Sequence, residues 1–178
     1  MHFMLTVTVL LLSLPAAGQH DHPTATASPN GDLAGRRIKA LSDEDITRLA
    51  NGEGMGFALS AELNHYPGPR HVLDLADQLA LSREAREAVE AIRVRMNERA
   101  RALGTQIVAA EAALDEAFAT RTITSPALAS LTARIAELTG ALRATHLTAH
   151  LEVTALLSPE QVDRYDALRG YRGSHSER

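Results

Sequence analysis

Residues 82–120 read SREAREAVEAIRVRMNERARALGTQIVAAEAALDEAFAT, and this stretch decides the fold. Ala85, Val89, Ile92, Met96, Ala100, Leu103, Ile107, Ala110, Leu114 and Phe118 recur at spacings of three and four. That is the period of one apolar stripe on a long α-helix, close to a heptad seam. Thr120 to Thr124 supplies a turn. Ser125 and Pro126 then read as the cap and first residue of a second helix, in which Leu128, Leu131, Ile135, Leu138, Leu142, Ala149 and Val153 repeat the pattern. Two such stripes joined by a short turn predict an antiparallel hairpin.

Working outward, Arg70 to Leu79 reads as a helix, and Ser82 as the cap of the long one. Ser42 opens a short helix, with Asp43, Glu44 and Asp45 at the positive end of its dipole. Residues 54–69 form an irregular connector carrying Glu62, His65 and Tyr66. On the far side, Ser158 and Pro159 start a last short helix containing Val162, Tyr165 and Leu168. The expected architecture is all-α: an elongated antiparallel helical hairpin over 70–171, a short helix and connector over 41–69, a flexible tether over 19–40 and a loose tail over 172–178.

Composition agrees. The 178 residues are 45% hydrophobic but only 3% aromatic, so the core must be aliphatic, which suits packed helices. There is no cysteine, which excludes disulfides and thiolate chemistry. The formal net charge of -4 argues against nucleic-acid binding. Leu5 to Leu14 is an apolar run too short to span a bilayer comfortably, broken by Pro15 and followed by Ala16-Ala17-Gly18. Residues 1–18 therefore read as a signal peptide cleaved before Gln19, leaving no membrane span and placing the chain in the periplasm.

The hairpin and its helix starts resemble the CpxP/Spy-like superfamily of bacterial envelope proteins. Its mark is an LTxxQ motif; Leu157-Ser158-Pro159-Glu160-Gln161 matches with Ser for Thr. Leu81-Ser82-Arg83-Glu84-Ala85 is a weaker copy, with Ala85 in place of Gln. Within that group the chain is most similar to periplasmic heavy-metal sensor and resistance proteins, the CnrX-like sensors included. The resemblance implies a hooked hairpin, often a homodimer, that senses metal or binds envelope signalling proteins and unfolded clients.

His146 and His150 are the sharpest chemical signal. A spacing of four puts both imidazoles on one side of a helix. At 100° per residue they lie roughly 40° and 80° from the Leu142 stripe. Two imidazoles so placed can grip Ni, Co, Zn or Cu(II). CnrX-like sensors use a helical His-x-x-x-Met pair, and His150 stands where that Met would be. Further donors could come from His71, His65 or Glu62, if the hairpin brings its two ends together. The plainer alternative leaves both histidines bordering the core. His146-Leu147-Thr148-Ala149-His150 lacks the glutamate of HExxH, and no phosphate loop or nucleophile elbow appears, so no enzyme is expected. The functional expectation is a metal-binding sensor or resistance protein; a metal-independent chaperone or stress adaptor is the alternative. Arg83, Arg86, Arg93, Arg95, Arg99 and Arg101, interleaved with glutamates, read as a solvated salt-laced face.

Mass spectrometry of the chain recovered from the cell envelope should find a mature N-terminus near Gln19; a retained 1–18 segment on a cytoplasmic protein would contradict this.

Overall fold

The computed structural model describes residues 30–171. The expected signal peptide, the first part of the tether, and the tail over 172–178 lie outside these residues. A 3₁₀ turn at Gly31–Gly35 leads into six helices: α1 (Asp43–Ala50), α2 (Leu59–Glu62), α3 (Pro69–Asp74), α4 (Arg83–Ala119), α5 (Ser125–Thr154) and α6 (Pro159–Arg169). The fold is all-α, and α4 packed antiparallel on α5 is its spine.

The ends of the helices follow their capping residues. Ser42 and Asp45 close a reciprocal capping box on α1. Ser82 accepts the Ala85 amide at the start of α4. The cap of α5 is Thr124, one residue before the expected Ser125: its hydroxyl reaches the Ala127 amide, so Ser125 falls inside the first turn and Pro126 follows it. The hairpin turn closes with Arg121 in the left-handed region, at φ 56°. At α6, Ser158 and Gln161 form the second capping box, and Gln161 also donates its amide to the Leu79 carbonyl (3.0 Å). The motif glutamine thus ties α6 to the turn between α3 and α4. The weaker copy has Ala85 at the matching position and makes no such tie.

Two aliphatic clusters line the spine. Where the start of α4 meets the end of α5, Val72, Leu79, Val89, Ile92, Ala149, Val153 and Tyr165 close together. Further along, Leu49 of α1 joins Ala100, Leu103, Ile107, Leu138 and Leu142. Beyond Ile107 on α4 and before Leu138 on α5 no described residue is fully buried, and Phe118 and Leu128 at the tip are exposed. The predicted stripes are therefore real along their whole length as helix, but they bury side chains only where a flanking segment covers the pair.

Residues 36–41, expected as tether and lead-in, dock on α4. Ile38 is buried, and the Lys39 amide donates to Asp115 Oδ1 (3.0 Å) with the ammonium 3.6 Å from Oδ2. Next to it α1 crosses α4 at Gly104. A Cβ there would stand 1.9 Å from the Leu49 carbonyl oxygen, so the two backbones touch only because the side chain is absent. On the outer face of α4, Arg83 pairs with Glu87 one turn on, Glu90 pairs with Arg93, and Arg86 pairs with Asp77.

The two helical glycines give opposite expectations. Gly104→Ala forces backbone against backbone and should cost about 1–3 kcal/mol. Gly140→Ala, on α5 with nothing within 4 Å of the added carbon, should stabilise by about 0.5–1 kcal/mol. Urea unfolding of both variants checks the pair.

Candidate metal centre

The short α2 ends on Glu62. The chain then reverses at His65, whose φ of 69° is unusual for a residue with a side chain. Pro67-Gly68-Pro69 follows, buried, and Pro69 opens α3 as its first residue. This loop lies against the late turns of α5. The result is that Glu62 and His71 from one end of the domain meet His146 and His150 from the other, and all four line one open cleft of about 730 Å³.

His150 is 7% exposed and His146 5%, so both sit deeper than a position flanking the stripe would suggest. The connector before α3 is the cause: Tyr66 and Gly68 lie against His150, and Gly54 against His146. His150 Nδ1 is 2.7 Å from the Tyr66 carbonyl oxygen. A carbonyl only accepts, so Nδ1 carries a proton, and in the neutral ring the lone pair is on Nε2. That arrangement, one nitrogen anchored to the backbone and the other bare, is what a metal-binding imidazole needs. A Cβ on Gly68 would stand 2.9 Å from this Nε2 and 3.4 Å from Glu62 Oε2. Glycine therefore leaves a small space onto which an imidazole nitrogen and a carboxylate oxygen both open. His146 Nε2 is buried with no hydrogen-bond partner. Burial, with His150 adding to it, pushes the His146 pKa below its ordinary value, so the ring is neutral at pH 7.

Glu62 is 7% exposed, and its partners are far away in sequence. Tyr165 donates its hydroxyl to Oε1 (2.5 Å) and Tyr171 does the same (3.0 Å). Arg169 Nε lies 3.7 Å and His71 Nδ1 3.4 Å from the same oxygen. His150 Nδ1 is 3.7 Å from Oε2, and no hydrogen bond among the described residues reaches that oxygen. Burial and the bond to Glu62 raise the Tyr165 pKa far above its ordinary value, and burial raises that of Tyr171, so both hydroxyls stay protonated donors.

Of the sequence-predicted donors, Glu62, His71, His146 and His150 line the same cleft. His65 turns elsewhere: it is half exposed and pairs through Nδ1 with Asp166 Oδ2 (2.6 Å) on α6. Among the described residues no three His, Asp or Glu side chains are already gathered as a ligand cluster. The donor chemistry nevertheless fits a borderline divalent ion: the imidazoles of His146 and His150 and the carboxylate of Glu62 line one cleft, and among the described residues neither Nε2 nor the Glu62 Oε2 has a hydrogen-bond partner. Sequence reasoning missed Tyr171, Arg169 and Gly68. Tyr165 is legible in the sequence only as a residue of the last short helix.

Comparison with known proteins fits this picture. The profile of a family described as heavy-metal resistance matches residues 54–164, well over half of the chain. The chain belongs to that family, in agreement with the CpxP/Spy-like resemblance. The matched stretch runs from just before α2 into α6, so it contains all four clustered donors and stops one residue short of Tyr165. No curated protein and no solved structure gives a significant match. No helix among the described residues is long and apolar enough to cross a membrane.

The depressed His146 pKa makes stability depend on pH. An unfolded imidazole takes its proton near pH 6.5, and the folded one only below that. As pH falls through 6.5 the unfolded state binds more protons, so the metal-free fold should lose stability, until the folded ring is protonated too. Urea unfolding between pH 7.5 and 5 should show a shallower loss in His146→Leu than in the parent.

Proposed function

We propose that this chain binds a divalent transition metal reversibly in the periplasm as a sensor or resistance protein, and that it catalyses no reaction. One observation carries the reading: His146 and His150 are buried on one face of α5, neither Nε2 has a hydrogen-bond partner among the described residues, and Glu62 Oε2, which takes no hydrogen bond, lies beside His150. Membership of the heavy-metal resistance family supports the same class of role. His146, His150 and Glu62 would hold the ion, and His71, more than a third exposed at its side chain, would close over it from α3. Neutral nitrogen and carboxylate oxygen suit Ni, Co, Zn or Cu(II).

Because the donors are not pre-gathered, binding would draw the α2–α3 loop onto α5. That movement is the signal a sensor needs, and it can reach an envelope signalling protein or a second copy of the chain through the hairpin surface. The metal-independent chaperone or adaptor reading draws on the apolar side chains left exposed along the spine, Val94, Phe118 and Leu151 among them.

Calorimetry with micromolar Ni, Co, Zn and Cu(II) should give a saturable heat that weakens as pH falls and the imidazoles protonate. His146→Ala with His150→Ala should abolish it while helix content holds. No heat from the parent, or equal binding by the double variant, would leave the chaperone reading in its place.

A further inference from the structure

Glu62 can serve a metal only if its carboxylate is held in the right orientation, and the structure shows what holds it. Both hydroxyls that reach it converge on Oε1: Tyr165 from inside α6 and Tyr171 just beyond its end. An oxygen of a carboxylate has two lone-pair directions, so two donors saturate it. Oε2 is left without a hydrogen bond and turned toward His150 and the space at Gly68. The two rings are themselves fixed. Tyr165 is fully buried in the core; Tyr171 lies 6.4 Å from it, centroid to centroid, with the Arg169 guanidinium over its face and bonded to its hydroxyl. His65 adds a second strap, holding the loop after α2 to Asp166, the residue next to Tyr165.

We propose that Tyr165 and Tyr171 are positioning residues of the metal centre: they anchor Glu62 through Oε1 so that Oε2 points at the ion. This rests on the metal-binding reading above and extends it to two residues of the C-terminal segment that lie just past the end of the family profile. Hydrogen-bonding partners behind a ligand set its orientation and basicity, and losing one typically weakens metal affinity about 10–100-fold. It also makes α6 a mechanical part of the site. When the ion draws Oε2, the load passes through Oε1 to the tyrosines and so to the C-terminal helix.

The test is a double-mutant cycle with Co(II) as the probe, on the full chain. Tyr171→Phe, which keeps the ring and loses only a partly exposed hydroxyl, is the primary variant, and Tyr165→Phe the second. With Glu62 in place, each should bind Co(II) about 10–100-fold more weakly than the parent. In a Glu62→Gln background, titrated to millimolar Co(II) so that the histidines alone can be saturated, Tyr171→Phe should make no further difference. Unchanged affinity in Tyr171→Phe, or the same fold loss in both backgrounds, overturns the proposal, the latter because a general structural defect does not depend on residue 62. If Glu62→Gln binds as well as the parent, Glu62 is no ligand and the proposal falls while the histidine site stands. If Glu62→Gln removes binding altogether, the visible d–d absorption of Co(II) decides. A changed band in Tyr171→Phe supports the positioning role and an unchanged band overturns it. A parent that binds no Co(II), Ni, Zn or Cu(II) overturns both this proposal and the function it rests on.

Discussion

Two helices packed side by side share one narrow seam, and a seam of aliphatic side chains encloses little volume. Everything else in this domain answers that constraint. The long α4–α5 spine buries side chains only where a third layer lies across it: α1 over Leu103 and Leu142, α3 and α6 over Val89 and Val153. Each covering segment is short and could not hold its shape alone. Their capping residues, the Gln161 tie to Leu79 and the close backbone approach at Gly104 fix them to the spine. The candidate metal centre lies in the gap between these two covering layers, where the loop from α2 to α3 crosses α5.

The spine was legible in the sequence because helical periodicity is local. Spacings of three and four, serine caps and a threonine-rich turn each involve residues a few positions apart. His146 and His150 were legible for the same reason, since one turn of helix brings them together whatever the fold. The coverage was not. Gly104 sits in a helical run where glycine is merely tolerated, and nothing nearby announces that a backbone will lie against it. The ordered lead-in at Ile38 and Lys39 depends on Asp115, and the surroundings of Glu62 depend on residues about a hundred positions later. A sequence pattern carries no distance across such gaps. The depth of burial of the two histidines was likewise invisible, because the loop that covers them is irregular.

His65 shows how the same limit misplaces a donor. Read along the chain, it stands three residues after Glu62 and six before His71, and looked as eligible as either. The left-handed backbone at His65 turns its ring toward α6, where Asp166 accepts it. One backbone angle separates a ligand candidate from a strap.

The tip of the hairpin, from Val108 round to Glu137, carries no fully buried residue, whereas the half that holds the histidines carries nearly all of them. Stability is accordingly graded along the molecule. The far end can fray and re-form as a local fluctuation, because the helix pair there has little apolar area to lose, while opening the near end requires breaking both clusters at once. The hairpin is therefore a stiff base bearing a soft arm. The lead-in grips that arm at Asp115, and beyond this point what the arm touches can change independently of what the base holds.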